Sequence, residues 1–196
     1  ADRCDFDRAD RDLRALTALD PADAAVHGDR AMVSFGHGMR RVAATVAWRA
    51  LAVPGDASPA EWELAQARLA LGDYAGGLGL LEARWGLGEF RAINGREFSW
   101  PAWRGELRAG LRLLVWAEQG FGDALQFLRY VPILKAAGIR VVLEVQEPLR
   151  ALVMSLGVEV VCRGELLPEV DAQVAVMSLP HLMGTRLETI PAEVPY

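Results

Sequence analysis

The sequence predicts an α + α/β protein, in which helical hairpins precede a Rossmann-like domain built on a parallel sheet. Three observations lead to this fold class. The first half repeats small and apolar residues with a fixed period, and the second half alternates short apolar runs with helical patterns. A turn with two glycines joins the first of those runs to the first of those helices. We therefore predict helical repeats over residues 1–85, a linker over 86–110 and a Rossmann-like lobe over 111–196.

The repeat in the first half has a period of 34 residues. Gly38 and Gly72 lie 34 positions apart, as do Ala43 and Gly77, and Gly38 and Gly72 each separate two apolar helical patterns. A helix–turn–helix unit of this length is typical of tetratricopeptide repeats. The best copy spans residues 59–87, although it has glycine at position 77, where the repeat usually has alanine. The alternative is a helical bundle unrelated to these repeats.

Residues 86–110 form the predicted linker, which is rich in glycine and also carries Phe90, Phe98, Trp100 and Trp103. The simpler interpretation is that these rings pack between the two halves, because aromatic side chains mostly serve burial. The alternative is a surface on which the rings stack against a sugar.

From Leu111 onwards, strands alternate with helices. Strands are predicted at 113–117, 140–145, 158–162 and 171–176, and helices at 123–137 and 148–156. This order favours a parallel sheet with right-handed crossovers. Pro132 lies inside the first predicted helix and is expected to kink it, because proline has no N–H to donate to the Leu128 carbonyl.

Composition narrows the range of partners. The net charge of −5 argues against nucleic acid and against an acidic membrane. The sequence contains no run of about 18 apolar residues, so we predict no membrane span. Residues 1–14 do not resemble a signal peptide. Two distant cysteines fit a reducing, cytoplasmic environment, and no His, Cys or acidic cluster has the spacing of metal ligands.

The glycine turn is the first candidate site. Glu118, Gln119, Gly120 and Gly122 follow the first predicted strand, and open α/β sheets bind their ligands at the carboxyl ends of strands. Glycines permit positive φ and close approach of a ligand. Asp123 then begins the predicted helix, either as a structural cap or as a general base that accepts a proton from a hydroxyl.

Two further candidates and one rival interpretation remain. Ser178 and His181 follow the fourth predicted strand, so they belong to the same edge of the sheet. The rival interpretation is a dinucleotide-binding turn, with Glu144 as the acid that binds ribose. It is the weaker one, because Leu125 occupies the position of the third glycine.

Several motifs resemble those of bacterial proteins that join tetratricopeptide repeats to a glycosyltransferase-like domain. They are FSWPAWRGE at 98–106, AEQGFGDALQFLRYVP at 117–132, VLEV at 142–145, SLP at 178–180 and IPAEVPY at 190–196. The glycine turn and its following proline also resemble the start of heptosyltransferases, and the repeats resemble those of O-linked N-acetylglucosamine transferases. The resemblance implies one lobe of a glycosyltransferase B fold, with Asp123 as the base that acts on the acceptor hydroxyl.

The resemblance also implies a function. We expect a glycosyltransferase, or a fragment of one, that moves a sugar from a nucleotide-sugar to a protein or glycan hydroxyl. We expect the donor-binding lobe to be missing from this chain, so the chain alone is expected to be inactive. It needs no metal or other cofactor besides that donor, its repeats would bind a peptide or protein, and a homodimer is possible. The alternative is a non-catalytic tetratricopeptide binding module with a degenerate lobe; a nucleotide-dependent oxidoreductase is a weaker third.

Overall fold

The computed structural model describes residues 3–193, which form two compact units. The helical unit comprises the residues up to Ile93 together with Arg186–Glu188. The α/β unit begins at Asn94, runs to Thr185 and resumes at Thr189. The predicted linker is therefore divided, because its first residues belong to the helical unit and the others to the α/β unit.

The helical unit contains only helices among its described residues, as the fold class predicts. In chain order these are α1 (Arg3–Leu19), α2 (Ala24–Gly36), α3 (Arg40–Ala50), α4 (Ser58–Ala70), α5 (Tyr74–Gly77), a 3-10 helix (Leu80–Gly86) and α6 (Gly88–Asn94). Consecutive helices from α1 to α4 pack on one another, and α2 also packs on α4. Small and branched side chains fill the space between α2, α3 and α4; they are Ala31, Val46, Ala47 and Leu64.

The repeated glycines end equivalent helices. Gly38 follows α2 with φ of 75°, and Gly72 follows α4 with φ of 87°. This left-handed conformation costs glycine little and strains other residues, which explains why glycine recurs at both positions. Gly77 serves a different purpose, since an added Cβ would lie 2.8 Å from Cγ of Leu69. The departure from alanine at Gly77 thus permits close packing against α4.

The α/β unit has a four-stranded parallel sheet in the order β3-β2-β1-β4. The strands are β1 (Arg112–Trp116), β2 (Arg140–Val145), β3 (Glu159–Cys162) and β4 (Ala172–Ala175). Near-continuous burial along β1 and β2 explains their apolar runs, because a parallel sheet is covered on both faces. The Rossmann-like lobe predicted from alternating strands and helices is therefore present.

The connecting helices are shorter and more broken than the sequence indicates. The first predicted helix begins at Phe121 and comprises α7 (Phe121–Phe127), a 3-10 turn (Leu128–Tyr130) and α8 (Val131–Ala136). Pro132 lies in the first turn of α8, where its missing N–H is tolerated, so the predicted kink takes the form of a 3-10 interruption before it. The remaining short elements are a 3-10 turn (Glu147–Leu149), α9 (Arg150–Val153), a 3-10 turn (Met154–Leu156), a 3-10 turn (Val176–Ser178), α10 (Leu179–Leu182) and a 3-10 turn (Leu187–Thr189).

The segment before β1 extends the sheet at its β4 edge. Ala102 forms a parallel bridge with Gln173, and the Trp103 N–H donates to the Gln173 carbonyl at 2.8 Å. The Trp103 ring is buried in the core of the α/β unit, whereas Trp100 is half-buried and donates from Nε1 to Oε2 of Glu169 at 3.1 Å. Among residues 3–193, no helix combines the length and apolarity that crossing a bilayer requires.

Candidate functional site

The carboxyl edge of the sheet brings together the segments that follow all four strands. Side chains that follow β2 and β3 hold the residues after β1: Nε2 of Gln146, after β2, donates to the Gln119 carbonyl at 2.6 Å. The Arg163 guanidinium, after β3, donates to the Ala117 carbonyl at 2.5 Å. These bonds fix the backbone just before the glycine turn.

Glu118 joins the segments that follow β1 and β4, two neighbouring strands of the sheet. Its side chain is fully buried, and Oε1 accepts a hydrogen bond from the Met177 N–H after β4 at 3.1 Å. A buried carboxylate needs such a donor, because desolvation disfavours its charge. The geometry gives Glu118 the role of orienting backbone, while contact with a substrate remains a prediction.

Neither glycine of the turn adopts the left-handed conformation, which was one of two predicted reasons for glycine at these positions. Gly120 is the N-cap of α7 with φ of −72°, and neither Gly120 nor Gly122 has positive φ. An added Cβ on Gly122 would meet no atom within 4 Å. The second reason, access for a ligand, is consistent with this open space beside the turn.

Asp123 does not cap the helix. Because α7 begins at Phe121, Asp123 lies in its first turn and Gly120 occupies the N-cap position without a side-chain hydrogen bond. The cap interpretation is therefore wrong. The Asp123 carboxylate is half-buried, lies near Gly120 and has no hydrogen bond or ion pair with any described residue. It remains available to an incoming donor such as a hydroxyl.

Ser178 and His181 lie beside this turn in different environments. Ser178 is buried in the 3-10 turn after β4, which packs against α7, whereas His181 is exposed on α10. No hydrogen bond joins Asp123 and His181 within the described part of the chain. The structure thus brings Ser178 close to the helix that carries Asp123 and leaves His181 at the periphery.

Gln146 and Arg163 are the residues that sequence reasoning missed. Both directly follow strands, so the rule that singled out the glycine turn could also have found them. Gln146 is of particular interest because its Oε1 is buried and has no hydrogen-bond partner among the described residues. Its amide orientation leaves an acceptor beside the backbone of Gln119.

Glu144 is not available to bind a ribose. Only 1% of the residue is exposed, and its Oε2 forms an ion pair with the Arg96 guanidinium. That guanidinium also lies over the rings of Phe98, 4.7 Å from the centroid, and Trp116, 5.8 Å away. Glu144 thereby holds the segment before β1 against one face of the sheet, which argues against the dinucleotide interpretation.

A cluster that the sequence did not reveal lies at the end of β3. The ligand atoms of Glu147, Cys162 and Glu165 lie within 4.8 Å of one another, a spacing that a metal ion could bridge. However, Arg150 forms ion pairs with both carboxylates and supplies the positive charge there. Burial raises the pKa of the Cys162 thiol, which keeps it protonated rather than a metal-binding thiolate.

Two surface cavities of the α/β unit lie at the amino ends of the strands, away from Asp123. One of about 500 Å³ is lined by residues that include Trp103, Arg104 and Asp171. The other, of about 370 Å³, is lined by residues that include Lys135, Arg140 and Glu159. Neither cavity is therefore part of the candidate site at the carboxyl edge.

No family model matches the sequence, and no curated protein matches it. Among solved structures, the chain is similar to a mutant of the O-GlcNAc transferase of Thermobaculum terrenum, with 13% sequence identity and a TM-score of 0.38. The similarity covers 83% of this chain and 38% of that chain, so the present sequence spans less than half of that structure. The α + α/β fold class rests on this chain's own topology.

Proposed function

We propose that this chain is the acceptor-side part of a glycosyltransferase that moves a sugar from a nucleotide-sugar to a protein or glycan hydroxyl. The observation that carries the proposal is the position of Asp123. It lies in the first turn of a helix at the carboxyl edge of a parallel sheet, beside a glycine turn with open space, and its carboxylate has no partner within residues 3–193. The motif resemblance assigns the base to the same residue.

The proposed reaction is a direct displacement at the anomeric carbon of the donor. Asp123 takes the proton of the acceptor hydroxyl while that oxygen forms a bond to the anomeric carbon. The bond between this carbon and the phosphate oxygen breaks, and the nucleoside diphosphate leaves with the electron pair. Gly120 and Gly122 would allow the acceptor to approach, and Gln119, Ser178 and His181 would orient it. Glu118 and Arg163 would hold the backbone of this edge in place.

Replacing Asp123 with asparagine tests this assignment. In a protein that contains this chain together with a donor-binding lobe, we expect Asp123→Asn to lower turnover by about 100-fold or more, the usual scale for losing a general base. Stability is expected to stay nearly unchanged, because Asp123 makes no hydrogen bond to the described residues. Turnover is measured by release of the nucleoside diphosphate, and stability by thermal unfolding.

Glu193→Gln is the matched control, because it removes the same charge from an exposed position in the same unit. Turnover of Asp123→Asn equal to that of this control would exclude Asp123 as the base. In that case His181, which follows β4 at the same edge of the sheet, would be the next residue to replace.

Residues 1–196 by themselves are expected not to bind nucleotide tightly, because donor binding in such transferases belongs to a second lobe. Isothermal titration with uridine, guanosine and adenosine diphosphates is expected to give no saturable heat. A dissociation constant in the micromolar range, which corresponds to a binding free energy of about −8 kcal/mol, would contradict this expectation. It would instead favour nucleotide binding at the glycine turn.

A non-catalytic binding module is the second candidate, and one feature of the helical unit favours it. Met32, Val42 and Trp48 are large hydrophobic side chains that are exposed there, with Trp48 63% exposed. They lie on α2 and α3, which pack on each other, and exposed apolar patches mark surfaces that bind proteins. Donor turnover by a protein that contains this chain and a donor-binding lobe separates the two candidates, because a binding module consumes no nucleotide-sugar.

A further inference from the structure

Helices α2 and α4 present matching rows of residues, which we call the paired stripe. Each row has the spacing i, i+4, i+7, i+11, so its members lie on one side of their helix. The two rows lie 34 positions apart and consist of Ala25, Asp29, Met32 and Gly36 on α2 and Pro59, Glu63, Gln66 and Ala70 on α4. Because α2 packs on α4, the rows are neighbours: a Cβ added to Gly28 would lie 3.5 Å from Cβ of Pro59.

Both rows carry an acid at the same position of the repeat, namely Asp29 and Glu63. Glu63 is only 8% exposed, yet it has no hydrogen bond or ion pair with any residue of the described chain. Burial, and to a smaller extent the nearby charge of Asp29, together raise the pKa of Glu63 to about 7. An unpaired buried carboxyl of this kind is unfavourable for the helical unit by itself, because buried charges in proteins are normally paired.

No described residue of the helical unit forms an ion pair with Asp29 or Glu63. Arg30, next to Asp29 in sequence, instead donates from Nη1 to the Thr17 hydroxyl on α1 at 3.4 Å. Asp29 itself is exposed and has no partner among residues 3–193. The exposed Asp29 carboxyl and the nearby buried Glu63 carboxyl therefore have no cationic partner among the described residues.

The surroundings fit a cationic side chain better than a metal ion. Among the described residues, three potential metal ligands come together only at Glu147, Cys162 and Glu165, and two carboxyls alone make a poor metal site. Met32 lies one turn after Asp29 on α2 and is 53% exposed, so it offers apolar surface beside the acids. Lysine and arginine combine an apolar stem with a charged end, and thus match both features.

We propose that the paired stripe binds a lysine- or arginine-bearing segment of a protein partner, with the cation between Asp29 and Glu63 and its stem against Met32. This inference deepens the proposed function by giving the chemistry of the peptide that the repeats present, but the contact does not depend on Asp123. It also applies unchanged to the binding-module candidate.

The test uses the full chain and an array of random-sequence peptides, each made in a version with one central lysine or arginine and a version with glutamine there. We expect the wild-type protein to prefer the cationic versions. The double variant Asp29→Asn, Glu63→Gln is expected to lose about tenfold or more of the affinity for the peptides that bind best, since it removes the charge of both carboxyls that would pair with the cation. Binding of those peptides is then measured by fluorescence anisotropy.

Two control variants separate binding at the paired stripe from general charge attraction and from effects at the proposed catalytic site. Glu61→Gln removes the same charge from α4 outside the paired stripe, and Asp123→Asn changes only the proposed catalytic site; both are expected to bind the peptides like wild type. An equal loss of affinity in Glu61→Gln would overturn the proposal, because it would indicate general attraction between acids and bases. The proposal would also be overturned if the wild-type protein, with its helicity confirmed by circular dichroism, showed no preference for cationic peptides. In a protein that also contains a donor-binding lobe, retained peptide binding without sugar transfer would reject the proposed function and leave this inference standing.

Discussion

Replacing Trp103 with alanine is expected to lower the free energy of unfolding of the α/β unit by about 3–5 kcal/mol, as for other buried large aromatic residues. The Trp103 residue is 4% exposed and belongs to the hydrophobic core beneath the sheet. Its Nε1 also donates to the Glu106 carbonyl at 3.0 Å, which closes the loop that follows. Removal would leave a large cavity and an unsatisfied carbonyl.

Guanidinium unfolding followed by far-ultraviolet circular dichroism measures this loss. Trp48→Ala is the matched control, because it removes the same side chain from an exposed position of α3 in the helical unit. We expect that control to change stability by less than about 0.5 kcal/mol. If Trp103→Ala were no more destabilising than Trp48→Ala, the core assignment of Trp103 would fail, and a ligand-facing role for the ring would become the better explanation.

Local patterns predicted the fold class because each pattern has one dominant cause. The apolar runs that become β1 and β2 are buried on both sides, so they stand out without knowledge of their neighbours. The glycine repeat reflects positive φ at Gly38 and Gly72, which is also a local requirement. Helix ends were predicted less well: α7 begins at Phe121, where no side chain caps it, and Asp123 therefore suggested the wrong first residue.

Features that depend on tertiary neighbours could not be predicted in this way. Gln146 and Arg163 reach the backbone before the glycine turn only because β2 lies beside β1 and β3 lies beside β2, an order that the strand patterns leave open. The buried acids Glu118 and Glu63 had no signal either, since carboxylates are almost always exposed unless they are paired. Their burial follows from the packing of whole elements.

Raising the pH from 4 to 8 is expected to destabilise the helical unit through Glu63. Burial is the main cause that raises the pKa of this carboxyl from 4.5 to about 7. Below pH 4.5 the carboxyl is protonated in both folded and unfolded chains, so its contribution is fully present. Between pH 4.5 and 7 the unfolded chain releases the proton and the folded chain keeps it, so stability falls with rising pH. Above pH 7 the loss is complete, on the order of 3 kcal/mol for a pKa difference of this size.

Glu63→Gln removes this ionisation while keeping the shape of the protonated side chain. We expect its free energy of unfolding, measured by urea titration, to equal that of wild type near pH 4 and to exceed it by about 2–3 kcal/mol at pH 8. The difference arises because the wild-type protein must bury a charge at pH 8 and the variant need not. Asp29→Asn is expected to act in the same direction with a smaller effect, since Asp29 is the second cause of the raised pKa.

Glu61→Gln is the matched control for this experiment, because it removes the same charge from a more exposed position of α4. A gain in stability at pH 8 as large for Glu61→Gln as for Glu63→Gln would mean that relief of overall negative charge, not burial of one carboxyl, explains the effect. A pH-independent difference between Glu63→Gln and wild type would likewise contradict the argument. Since the cation proposed for the paired stripe would pair with ionised Glu63, bound cationic peptide is expected to stabilise wild type more than Glu63→Gln at pH 8.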